Sequence, residues 1–81
     1  MVTAMFRFLE IELEVGITFA KAAENAASTE DLLHNRKLAR RAYDSVLRHT
    51  SRANSTGLET KRITTRLRKL RLALFRLGDL P

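Results

Sequence analysis

The sequence predicts an all-α fold, an antiparallel three-helix bundle forming one domain over residues 1–81. Three observations predict it. Apolar residues recur at helical spacing in three segments, and no segment alternates like a strand for long. Two short polar breaks separate the segments: Ala27-Ser28-Thr29-Glu30-Asp31 and Ser51-Arg52-Ala53-Asn54-Ser55-Thr56-Gly57. Only 3 Gly and 1 Pro are present, so few residues interrupt a helix, and 0 Cys excludes a disulfide framework, a zinc ribbon and a thiol enzyme.

The first segment spans about residues 3–27. Its beginning alternates partly, with Glu10, Glu12 and Glu14 between Leu9, Ile11, Leu13 and Val15, which raises a strand as the rival assignment. The alanine-rich continuation to Ala27 favours a helix. At about 100° per residue, Arg7, Glu10, Glu14, Thr18, Lys21 and Asn25 form the polar face. One apolar stripe is Leu9, Leu13, Gly16, Ala20, Ala23 and Ala27. A second is Phe8, Ile11, Val15, Phe19, Ala22 and Ala26. Together they are too broad for one partner, so this helix should lie between two others or help form a dimer. Gly16, Ala20 and Ala23 carry almost no side chain and should let a neighbouring helix approach closely.

The second segment spans about residues 29–52. Ser28 offers a capping hydroxyl, and Glu30 and Asp31 suit the positive end of the helix dipole. Leu32, Ala39, Ala42, Tyr43 and Val46 form the apolar stripe, with Asn35 among them. His34, Lys37, Arg41, Arg48 and Arg52 form a basic stripe opposite.

The third segment spans about residues 57–77. Thr56-x-x-Glu59 has the form of a capping box, Gly78 suits a left-handed stop, and Pro81 follows. Ile63, Leu67, Leu70, Leu74 and Leu77 repeat at spacings of four and three, the pattern of a helix laid along others. Arg62, Lys69 and Arg76 form a basic stripe, with Arg66 beside it.

The net charge of +6 is unevenly divided. Residues 1–30 carry Glu10, Glu12, Glu14, Glu24 and Glu30 against Arg7 and Lys21, a net of −3. Residues 31–81 carry 13 Lys and Arg against Asp31, Asp44, Glu59 and Asp79, a net of +9. The basic surface is expected along Lys37, Arg41, Arg48, Arg52, Arg62 and Lys69. It suits phosphate contacts, but the bases have no Phe or Tyr interleaved as a stacking platform, and part of the charge can be neutralised by the acids of the first helix.

Glu12 falls within the first helix's apolar arc as a candidate buried polar residue, expected to pair with an arginine of another helix or to stay partly exposed rather than to act as an acid catalyst or metal ligand, since an unpaired buried charge is very costly. Asn35 is expected as a buried polar residue that links helices by hydrogen bonds, with contact to a ligand as the lesser alternative. Leu72 and Phe75 lie off the third helix's core stripe. With Phe8 and Ile11 they are the candidate interface residues, because a clustered apolar patch marks an association site. No phosphate-binding loop, nucleophile elbow, dinucleotide fingerprint or zinc-protease motif occurs. The expectation is a non-enzyme without cofactor or metal. The start of the chain lacks the order of a signal peptide and no run reaches about 18 uncharged apolar residues, so a cytoplasmic protein with no membrane contact is expected.

Val15-Gly16-x-x-Phe19 and Ala39-x-x-x-Tyr43-x-x-Val46-Leu47 resemble the two helices of a tetratricopeptide repeat, with longer helices and a longer spacing between the halves. The stretch from Phe19-Ala20 through Asn35-Arg36-x-x-Ala39-Arg40-x-Ala42-Tyr43-Asp44 also resembles that of short bacterial helical proteins. The resemblance implies a small cytosolic helical protein. Helical hairpins of the tetratricopeptide or microtubule-interacting-and-trafficking type bind peptide segments or other helices, which implies a protein partner. The leading expectation is therefore an interaction module that self-associates through apolar helix faces, a homodimer above all. The alternative is a basic nucleic-acid-binding protein.

Overall fold

The computed structural model describes residues 4–50 and 57–80. Three α-helices occupy them: α1 (Ala4–Glu24), α2 (Thr29–Thr50) and α3 (Gly57–Arg76). No strand occurs among the described residues.

Three of the helix ends are set by local chemistry among the described residues. α1 stops at Glu24, three residues before Ala27. The Asn25 side-chain amide donates to the Lys21 carbonyl at 3.0 Å, and Ala26 N–H bonds Ala23 O in a tightened last turn. At the start of α2, Ser28 Oγ accepts from Asp31 N–H at 3.1 Å, as the sequence predicts. α3 ends in a Schellman motif: Gly78 N–H bonds Phe75 O and Asp79 N–H bonds Leu74 O, both at 3.0 Å. Gly78 has φ +79°, a conformation that penalises any side chain. The predicted capping residue Thr56 and the basic residue Arg52 lie outside the described residues.

The helices run up, down and up. Phe8 meets His49 and Gly16 meets Ala42, so α2 runs antiparallel to α1. Glu10 meets Arg62 and Arg66, and Gly16 meets Leu70, so α3 runs parallel to α1. α1 is central: it shares its largest interface with α2 and a smaller one with α3, while α2 and α3 touch least.

The core contains Phe6, Leu9, Leu13 and Ala20 from α1, Ala39, Tyr43 and Val46 from α2, and Ile63, Leu70 and Leu74 from α3. Met5, Ile17, Phe19, Leu67, Ala73, Leu77 and Leu80 pack around it. Gly16 sits where all three helices converge. A Cβ there would lie 2.7 Å from Leu70 Cδ2 and 3.0 Å from the Ala42 Cβ. The small stripe thus permits the close approach that the sequence predicts, toward two helices at once.

Both partner helices use the same side of α1. The Leu9–Leu13–Gly16–Ala20–Ala23 stripe is buried, whereas Phe8, Ile11, Val15 and Ala22 of the second stripe are exposed. Central position therefore does not cover the whole apolar arc. Two helices docked side by side on one stripe leave the opposite one bare.

Candidate interaction surfaces

The outer stripe of α1 gathers three exposed large apolar residues at helical spacing. Ile11 is 57% exposed, and Phe8 and Val15 are each 39% exposed. Ile11, Val15 and half-buried Phe19 line a depression on the outside of α1 with Glu14 and Thr18. Each end of this surface touches a flanking helix. Phe8 stands edge-on to the His49 ring of α2, with centroids 5.2 Å apart. The His49 ring is steadied by a 2.7 Å hydrogen bond from Nδ1 to the Ser45 carbonyl, which can only accept. On the other flank, Ile11 shares a second depression with Arg7, Glu10, Glu14, Arg62 and Arg66.

Four arginines use the acids within reach. Arg66 donates to Glu10 Oε2 at 3.2 Å, and Arg62 lies 3.5 Å from the same oxygen and 5.9 Å from the Phe6 ring centre. On α2, Arg36 donates to the Leu77 carbonyl at 2.9 Å and stands 3.8 Å from Asp79. Arg40 bonds Asp44 at 3.0 Å and Asp79 at 3.4 Å. The hydrogen bond to Asp44 raises the Arg40 guanidinium above its ordinary pKa, with Asp79 adding to the effect. A pKa raised by folding adds stability below the unfolded value and loses it only as pH rises through the folded one. Arg40 therefore stays charged at every pH short of strong alkali.

The predicted basic surface accordingly divides. Arg62 is committed to Glu10. Lys37, Arg41 and Arg48 are exposed along α2 and make no ion pair among the described residues. Lys69 lines a groove between α1 and α3 with Ile17, Lys21, Glu24, Leu72 and Arg76.

Neither Glu12 nor Asn35 bridges two helices among the described residues. Glu12 is only half-buried, and the arginines of α3 reach Glu10 instead. Glu10 sits on the α3 flank of the core, two residues and about 200° around the helix from Glu12. Asn35 is also half-buried, and its amide donates to the Asp31 carbonyl of its own helix at 3.0 Å, so it links no helices. The buried charged residue among those described is Glu59, 9% exposed, in the first turn of α3. Its position four residues before Ile63 places it on the core stripe, a signal that its capping-box spacing obscured.

Leu72 and Phe75 are exposed, at 49% and 57%, as the sequence predicts. They do not join Phe8 and Ile11, which lie on the far side of α1 from the core. Leu9, a possible bridge between them, is 1% exposed and belongs to the core. The sequence reading also missed the contacts of Arg36 and Arg40 with residues 77–79, which are 39 to 43 positions distant and carry no local signature.

Among the described residues no group of three or more His, Cys, Asp or Glu is arranged to hold a metal ion, and no helix is long and apolar enough to cross a membrane. No family model, curated protein or solved structure matches the chain.

Proposed function

We propose that the protein is a helical interaction module that self-associates, pairing the outer stripe of α1 with the same stripe of a second copy. The observation that carries this reading is the exposure of Phe8, Ile11 and Val15 on a helix whose opposite stripe already packs against two helices. Isolated exposed leucines are ordinary, but a continuous apolar stripe at helical spacing marks an association surface.

The spacing suits a helix–helix contact. Phe8, Ile11, Val15, Thr18, Ala22 and Asn25 follow each other at three and four residues, the seam of a coiled coil. Arg7 immediately precedes the first seam residue, and Glu12 follows the second. In a parallel pair, Arg7 of one copy meets Glu12 of the other, and the contact is repeated by symmetry. The likeness of Val15-Gly16-x-x-Phe19 to a helix of a tetratricopeptide repeat supports a helix as the ligand.

Ile11→Glu and Val15→Glu test the reading, because both side chains are exposed and the core does not depend on them. Each is expected to weaken association at least about tenfold in size-exclusion chromatography with light scattering, because each removes apolar burial and introduces a charge. Helicity and Tm of the monomer should stay within a few degrees. Unchanged association in both variants would overturn the assignment of this face.

A further inference from the structure

The outer face of α3 combines bases with an aromatic ring, and the self-association face does not use it. Lys61, Arg68, Arg71 and Phe75 are all exposed. Their spacings of seven, three and four residues put them on one side of the helix, directed away from Ile63, Leu70 and Leu74. Phe75 is 57% exposed, yet it follows Arg71 by one turn. The expectation of bases without interleaved aromatics therefore fails here. Phe75 does not enter the core, because the core stripe runs through Leu70 and Leu74.

This face is strongly positive among the described residues, and Glu24 is the acid that borders it, in the groove it lines with Lys69, Leu72 and Arg76. The single acid of α3 is Glu59, which is buried. The carboxylates of Asp44 and Asp79 are held by Arg36 and Arg40. None of Lys61, Arg68 and Arg71 makes an ion pair among the described residues. From Lys61 to Phe75 is fourteen residues, about 21 Å at the helical rise, enough for about four nucleotides of a single strand.

We propose that this face binds single-stranded nucleic acid, with Lys61, Arg68 and Arg71 on its phosphates and a base stacked on Phe75. A cationic track fixes the backbone without reading sequence, and an exposed ring accepts any base because every base has a π-face. Duplex nucleic acid would offer phosphates but no free base for Phe75. The basic stripe of α2, Lys37, Arg41 and Arg48, has no exposed Phe, Tyr or Trp beside it and serves as an internal comparison.

Fluorescence anisotropy with a labelled 15-nucleotide oligothymidine tests the proposal on the intact chain at about 50 mM salt. The wild type is expected to bind, and affinity should fall about 20-fold by 200 mM, the slope for about three phosphate contacts on a single strand. Phe75→Ala should weaken binding about 5- to 150-fold, the range for losing one stacked base. Phe75→Tyr should restore it, because a ring is again present. Arg68→Glu with Arg71→Glu should abolish it, whereas Arg41→Glu with Arg48→Glu should weaken it much less. Circular dichroism of each variant separates lost binding from lost fold. No binding by the wild type would overturn the proposal. So would equal binding of an unlabelled duplex competitor, or binding insensitive to Phe75→Ala. The outcome is independent of Ile11 and Val15, so self-association stands or falls separately.

Discussion

Gly16 and Gly78 show how single residues set this fold, for opposite reasons. At Gly16 the constraint is space. Alanine is the better helix former by about 1 kcal/mol, but its methyl would press on Leu70 and on the Ala42 Cβ, which is fixed to the α2 backbone. Gly16→Ala is therefore expected to lower stability by about 1–2 kcal/mol net, read by urea denaturation. A gain in stability would mean that the helices do not meet so closely. At Gly78 the constraint is the backbone. Its nearest neighbour for a Cβ is Arg36 Nη1 at 3.8 Å, ordinary contact, while φ is +79°. Gly78→Ala should cost about 1–2 kcal/mol through strain alone, and Gly78→Asn clearly less, because asparagine tolerates this conformation. Both glycines were legible in the sequence, one from its neighbours Ala20 and Ala23, the other from its place after the last leucine. The helix-bridging partners expected for Glu12 and Asn35 were misread at this same scale. A helical wheel gives direction around an axis, and residues at the margin of a broad apolar arc become core or surface only when the partner helices are placed.

At the scale of the element, the periodicities of α2 and α3 defined one narrow stripe each, buried along its middle and half-buried at Leu32, Leu67 and Leu77. Ile63, Leu70 and Leu74 are at most 4% exposed, and so is Ala39. α1 has two stripes, and periodicity does not say which is covered. The distinction follows from side-chain size. The stripe with Gly16, Ala20 and Ala23 admits two helices at close range, whereas Phe8, Ile11 and Val15 would hold them apart. This makes α1 the element on which the proposed self-association depends. Phe6 illustrates the same limit: it is 1% exposed but falls outside both stripes drawn from the sequence. It is buried because the α3 flank, with Arg62 over its ring, closes around it. Phe6→Ala should therefore cost about 3–5 kcal/mol of stability, while Phe8→Ala should cost much less in the monomer and act mainly on association. Thermal or urea unfolding at low protein concentration distinguishes the two. Equal losses would contradict the assignment of inner and outer faces.

Across the whole molecule, charge is sorted by pairing as much as by sequence position. The split between residues 1–30 and 31–81 was visible at once, but its use was not. Glu10 reaches across to α3, and Asp79 reaches back to α2, so acids from both ends are absorbed by four arginines. These pairs are partly exposed, where such contacts contribute little. The remaining bases repel one another. Raising salt from about 20 to 300 mM should therefore increase Tm modestly, since screening relieves repulsion more than it weakens the pairs. A fall in Tm over this range would show that the ion pairs dominate. The same screening lowers repulsion between copies, so self-association should strengthen with salt, whereas binding of single strands along α3 should weaken.

The central claim is that the outer stripe of α1 is covered by a second copy. Sedimentation equilibrium of the full chain from micromolar to millimolar concentration tests it most directly. The expected result is a mass that rises from the 9.2 kDa of one chain toward twice that value, and that stays at one chain in Ile11→Glu. A mass of one chain at every concentration in the wild type would contradict the account.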